Sequence, residues 1–124
     1  MLNANLINIT NNKKGVEIGG PSQYTGSIIY NNALSLDNVV FSYDTVWKQH
    51  TNDYKFNYNK EAGKTFFNDT VNITSIDDNT YDFCFASHTL EHIANPLKAI
   101  KEWLRIVKKE GHVIIIVPEK KRLF

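Results

Sequence analysis

Between residues 96 and 109, apolar and polar positions follow the period of a helix. Leu97, Ile100, Trp103, Leu104 and Val107 form one apolar stripe, and Lys98, Lys101, Glu102, Arg105 and Lys108 cover the other side. Asn95 is a good N-cap, Pro96 suits the first helical position, and Gly111 stands where a helix stops. The pattern then changes. His112–Val117 is a continuous β-branched run bounded by Gly111 and Pro118, which predicts a strand buried on both faces, as in a parallel sheet. Tyr81–Ser87 is a second such run. Strand, helix and strand within so short a span predict a βαβ unit with a right-handed crossover. Lys14–Gly20, Asn38–Ser42 and the weaker Lys64–Phe67 are further candidate strands. Residues 45–63 are polar and aromatic without clear period and predict a loop with room for a short helix. No repeat or linker divides the chain, so 1–124 reads as a single domain, with about the first 13 residues expected to be flexible.

Composition narrows the class. Hydrophobic residues make up 42% and charged residues 22%, which is ordinary globular usage. The net charge of +1 supplies no global field toward nucleic acid or membrane, so a nucleic-acid partner finds no support here. No apolar run reaches the length of a membrane span, and the N-terminus shows no signal-peptide pattern. The single cysteine, Cys84, cannot form an internal disulfide. It reads as a buried strand thiol and suits a reducing compartment, so a cytoplasmic location is expected.

Two short strings carry candidate chemistry. In GVEIGGPS, Gly19 and Gly20 end a predicted strand, where glycine lets a ligand approach main-chain N–H groups, and Glu17 can bind an ammonium or hydroxyl donor. Alone, this is also what a plain glycine turn looks like. The string His88-Thr-Leu-Glu91-His92 fits H-x-x-E-H, a zinc-hydrolase signature in which two imidazoles hold the metal and the carboxylate acts as base. Such a site needs a third ligand well downstream on another helix. Only 32 residues follow His92, most of them in the helix and strand already assigned.

Taken together, the strings resemble a known family. Glu17-Ile-Gly19-Gly20-Pro21-Ser22 looks like the first motif of class I S-adenosylmethionine-dependent methyltransferases. Tyr81–His88 with Leu90-Glu91-His92, then Ala94–Ala99, Glu102–Lys108 and Gly111–Ile114, resemble the fourth strand, the following helix and the fifth strand of the methyltransferase type 11 group. The resemblance covers about residues 15–118. It implies an α/β, Rossmann-like fold with a mostly parallel sheet and flanking helices, and S-adenosylmethionine as cofactor. It sets Gly19 and Gly20 against the methionine part, with Glu17 near its amino group. It asks for an acid after the second strand to hold the ribose hydroxyls. Asp37 lies near the family interval, with Asn38 and Asp44 as rivals. It matches Asp69 to the acid at the adenine amino group and Ser87 to the strand end beside the cofactor. His88 is the best-placed candidate for taking a proton from an oxygen acceptor, with His92 second; its alternative role is a structural hydrogen-bonder. In this family the LEH string starts a short helix and holds no metal.

The departures matter. Pro21 stands where the family has its second glycine, and residues 23–30 make a poor first helix. The family's last two strands would be missing after the fifth, leaving a parallel sheet edge exposed. A fragment, a partner or second copy covering that edge, or a reduced inactive relative acting as a binding module would each account for this. The acceptor is not readable: small molecule, glycan and protein all remain open.

Overall fold

The computed structural model describes residues 2–20, 28–41, 53–54 and 63–118. Helix α1 (Leu2–Thr10) leads into β1 (Lys14–Ile18); the short helix α2 (Tyr30–Asn32) leads into β2 (Ser35–Val40); β3 (Asp53–Tyr54), β4 (Gly63–Phe67) and β5 (Tyr81–Ser87) follow. A 3-10 turn at Leu90–His92, helix α3 (Pro96–Ile106) and β6 (Val107–Ile116) complete the described elements. The strands form one sheet in the order β3-β4-β2-β1-β5-β6. Five of them are parallel, and only the two-residue β3 runs antiparallel, against β4. This is the expected α/β, Rossmann-like architecture.

The core has two layers, one on each face of the sheet. Side chains alternate across a strand, so β1 sends Val16 and Ile18 to one side, where Trp103, Ala99 and Ile106 of α3 and the loop residues Ile73 and Ile76 cover them. Phe83 and Phe85 of β5 face the other side, against Leu6 of α1 and Ile29 and Tyr30 at the start of α2. Burying Cys84 completely raises its thiol pKa well above the ordinary thiol range and makes it a poor nucleophile.

Five expectations differ from the structure. Where a flexible lead is expected, the first residues form α1, with Leu6 and Thr10 buried and the Thr10 hydroxyl donating to the Leu6 carbonyl at 2.6 Å. Helix α3 ends at Ile106, so Val107 belongs to β6, and the helix is rotated from the expected stripe. Ala99, Trp103 and Ile106 meet the sheet, while Leu97 and Leu104 are 79% and 57% exposed. Small Ala99 lets the helix close on the strands, which a leucine in its place would prevent. β2 starts at Ser35, three residues before the predicted start, so residues 37 and 38 are mid-strand. β6 is the last strand in the sheet order, and its second half is half-buried rather than enclosed. Residues 45–52 and 55–62 lie outside the described residues; within that span, β3 is a strand rather than loop.

Asn95 caps α3 as expected, its side chain accepting from the Lys98 N–H at 3.2 Å. Farther along, Glu102 and Arg105 form a fork–fork pair, with Arg105 Nε 2.8 Å from Glu102 Oε1. Arg105, the main influence, and the Ile73 N–H hold the Glu102 carboxyl below its ordinary value of 4.5. A depressed acid stabilises the fold above its unfolded pKa, and that contribution is lost as pH falls through the folded value. Glu102→Gln should therefore melt below the parent at pH 7, with the gap closing as pH drops below about 4.5. Thermal melts across pH 3–7 check this; a constant gap would show that ionisation of Glu102 contributes nothing.

Candidate functional site

The chain leaves β1 toward β2 and β4 on one side of the sheet and then returns to β5 and β6 on the other. The reversal lies between β1 and β5, and such a point opens a crevice at the carboxyl ends of the strands. A cavity of about 680 Å³ lies there. Gly19 after β1, Phe41 after β2, Asp69–Val71 after β4 and His88 and Thr89 after β5 form its inner wall; His92, Asn95 and Lys98 stand on its α3 side.

The glycine turn is held from three directions. The Gly19 N–H donates to the Val39 carbonyl at 2.8 Å. Gly19 has φ +76°, and a Cβ there would lie 2.9 Å from Thr89 Oγ1, so both backbone shape and space require glycine. Gly20 exchanges two hydrogen bonds with the Asn38 amide, each 3.2 Å long. A Cβ on Gly20 would collide with the carboxylate of Glu17. Thr89 closes the crevice between the strands, its hydroxyl 3.2 Å from both the Ile18 and Ser87 carbonyls.

Of the predicted site residues, the structure brings Gly19, Asp69 and His88 together on one cavity. Asp69 is exposed, and its carboxylate accepts the Val71 N–H at 3.1 Å, which shapes its own turn. His88 has φ +55°, a left-handed conformation that turns the chain out of β5, and its N–H donates to the Ile116 carbonyl at 2.8 Å. Its Nδ1 lies 3.8 Å from Glu91 Oε2, and His92 Nε2 lies 3.8 Å from the same oxygen. Leu90 and Ile93 pack against the core, which points Glu91 and both imidazoles outward. His88 precedes the 3-10 turn, so the two histidines do not share the regular helix that the zinc signature needs. Among the described residues, no three His, Cys, Asp or Glu converge as metal ligands.

The others go elsewhere. Glu17 is 1% exposed and lies beneath Gly20, where the Tyr30 hydroxyl donates to it at 3.2 Å; it supports the turn from below instead of lining the cavity. Gly20 is likewise buried behind Gly19. Ser87 is buried, with its hydroxyl unpartnered among the described residues, and by alternation it follows Phe83 and Phe85 away from the cavity. Asp37, the expected ribose ligand, is corrected by the strand register. It points to the α3 side of the sheet, near the amino ends of the strands, where it accepts the Tyr81 hydroxyl at 2.6 Å and the Lys64 N–H at 2.9 Å. Burial, then that bond, pushes the Tyr81 hydroxyl pKa up. Asn38 is committed to Gly20, and Asp44 lies outside the described residues. Phe41, Thr89, Asn95 and Lys98 also line the cavity, beyond the residues the sequence singles out. Thr89 had a legible signal, a hydroxyl two residues beyond a strand end in the quoted string.

Two substitutions check this geometry. Asp37→Ala should cost about 1.5–3 kcal/mol of stability, because the Tyr81 hydroxyl and Lys64 N–H both lose a charged acceptor. Chemical denaturation checks it, and an unchanged midpoint would show these bonds to be idle. Gly20→Ala should cost about 1–3 kcal/mol by overpacking the buried Glu17 carboxylate. Stability equal to the parent would show that Glu17 does not sit beneath the turn.

Comparisons with known proteins agree with this reading of the fold. The sequence profile of a family described as a methyltransferase domain matches residues 41–115. No curated protein matches the chain. Among solved structures, a candidate methyltransferase from Bacillus halodurans superposes with a TM-score of 0.70 at 12% identity, covering 95% of this chain and 52% of that one. A candidate S-adenosylmethionine-dependent methyltransferase from Methanococcus maripaludis gives 0.68 at 24% identity, covering 92% and 52%. An S-adenosylmethionine-dependent methyltransferase from Aquifex aeolicus gives 0.64 at 14% identity, covering 98% and 65%. The chain thus spans about half the length of the first two. With the family profile over most of the chain and the parallel sheet reversing at the glycine turn, the chain belongs to the methyltransferase-domain family and has the class I, Rossmann-like fold.

Proposed function

We propose that this domain takes part in S-adenosylmethionine-dependent methyl transfer, with the cofactor in the cavity at the β1/β5 reversal. The observation that carries the reading is the left-handed Gly19 on the cavity wall, where a side chain would fill the space against Thr89. The cavity, at about 680 Å³, is in the range of small-molecule sites. Gly19 fits the methionine end, and the exposed Asp69 carboxylate beside Thr70 and Val71 fits the adenine amino group. The ribose ligand is assigned to neither Asp37 nor Asn38, which are engaged in the sheet.

When bound, S-adenosylmethionine supplies a methyl group on a positively charged sulfur. The chain's own part is to align that group with the acceptor and keep water out. The acceptor enters on the side of His92, Asn95 and Lys98. His88, half-exposed at the rim, takes the proton an oxygen acceptor must release, with Glu91 oriented toward its Nδ1. The acceptor is a small molecule, glycan or protein. The outer side of β6, the last strand of the sheet among the described residues, is where a partner or a second copy would pair. Among the described residues, no helix is long and apolar enough to cross a membrane. With one buried thiol, the working compartment proposed is the cytoplasm.

Calorimetric titration with S-adenosylhomocysteine tests the reading. The parent should bind, and Gly19→Ala should lose binding while staying folded, at a cost of about 1–2 kcal/mol for the left-handed backbone. A parent that is folded and gives no binding would overturn the proposal. A second experiment addresses the H-x-x-E-H string. Purified protein should carry no stoichiometric zinc, and His88→Ala should reduce turnover more than cofactor affinity. One zinc per chain, lost in both His88→Ala and His92→Ala, would restore the hydrolase reading.

A further inference from the structure

Between the end of β4 at Phe67 and the start of β5 at Tyr81, the chain leaves the sheet. Its first part, Asp69–Val71, is one wall of the cavity. The ends of this segment are fixed by backbone bonds, Asn68 N–H to the Val40 carbonyl at 3.0 Å, and Asn79 and Thr80 N–H to the Arg105 and Ile106 carbonyls at 2.9 and 2.8 Å; between them the backbone bonds are local, Asn72 N–H to the Asp69 carbonyl at 3.0 Å, Thr74 N–H to the Asn72 carbonyl at 3.1 Å and Ile76 N–H to the Ile73 carbonyl at 3.3 Å. Among the described residues, the hydrogen bonds that tie residues 70–78 to the rest of the fold come from α3. Trp103 Nε1 donates to the Thr70 carbonyl at 2.9 Å, and Glu102 Oε2 accepts the Ile73 N–H at 2.6 Å. Arg105 reaches three acceptors: the Ile73 carbonyl at 2.9 Å, the Ile76 carbonyl at 3.0 Å and Asp78 at 2.7 Å.

We propose that Trp103, with Glu102 and Arg105, is a positioning residue that sets the cavity wall at Asp69–Val71, and through it the fit of the adenine end of the cofactor. This rests on the cofactor reading above and adds that the wall's position is decided on α3. The indole is fully buried, so its N–H has one direction available, and that direction fixes Thr70, the central residue of the wall. The Glu102–Arg105 pair repeats the device one turn of loop later. It satisfies both the N–H and the carbonyl of Ile73, whose side chain is itself buried in the core. Without these bonds the loop would still be anchored by Ile73 and Ile76, but the peptide at Thr70 would lose its only direct tether to the helix. A wall free to shift by even a fraction of an ångström presents the Asp69 carboxylate at a wrong distance to a planar base.

The test uses the whole chain and two ligands, S-adenosylhomocysteine and its inosyl analogue, in which a carbonyl replaces the adenine amino group. Trp103→Phe removes the donor and keeps an aromatic ring in the core. It should weaken S-adenosylhomocysteine binding about threefold to tenfold, the worth of one hydrogen bond. It should also narrow the preference over the inosyl analogue. Arg105→Lys, at a partly exposed position, keeps the charge, removes the fork and should shift affinity in the same direction. Ile106→Val shortens a buried side chain on the same helix and leaves the loop's tethers in place. It should lower the melting temperature and keep the parent's affinity and preference. Parent-like affinity in both Trp103→Phe and Arg105→Lys overturns the inference, as does an equal loss in Ile106→Val, which would make the effect one of general stability. A folded parent that binds neither ligand overturns the cofactor reading and this inference with it.

Discussion

The fold depends on β1 being paired on both sides. Four residues, Gly15–Ile18, carry parallel ladders to β2 and to β5 at once. A strand in that position has no room for a solvated side chain, and Val16, Glu17 and Ile18 are all essentially buried. Because the chain runs outward from β1 in both directions, the end of this strand is where the two halves of the sheet part. The glycine turn must then leave the sheet at its most crowded point. Gly19 passes beside Thr89 and Gly20 passes over the Glu17 carboxylate.

The polar groups around that turn are therefore structural before they are functional. Glu17 receives the Tyr30 hydroxyl, and the Asn38 amide holds both the N–H and the carbonyl of Gly20. A buried polar group needs such partners to avoid a desolvation penalty. What remains for a ligand is the backbone of Gly19 and the loop ends beyond the other strands. The cavity is a property of four strand ends brought level, and no single motif builds it.

This explains what was legible in the sequence. β5 was readable to the residue, because a buried parallel strand is a near-continuous apolar run with sharp ends. The start of α3 was readable from Asn95 and Pro96, whose roles are local. Its buried face was not, since Leu97 and Leu104 are as apolar as Trp103 and Ile106, and only the approach of Ala99 to the sheet decides between the stripes. The ribose acid was misplaced for a similar reason. The run Ser35–Val40 contains Asp37 and Asn38, so its start looks like a turn, and their partners Tyr81 and Gly20 lie far along the chain. Glu17, expected near the cofactor's amino group, lies beneath Gly20 against the Tyr30 hydroxyl, because spacing says nothing about which face of a strand end a carboxylate takes. The two histidines fit a metal signature by spacing alone; the left-handed backbone at His88, which separates them, has no sequence mark beyond the end of the apolar run.

The central claim is that the crevice at the β1/β5 reversal, walled by Gly19, Asp69–Val71 and His88–Thr89, is the cofactor site. Amide chemical shifts followed by NMR during titration with S-adenosylhomocysteine test it most directly. The account predicts saturable shifts at Gly19, Thr70, Val71 and Thr89, with Asp37, Lys64 and Tyr81 at the other end of the sheet unmoved. Shifts centred on Asp37 and Tyr81, or none at Gly19, would contradict it.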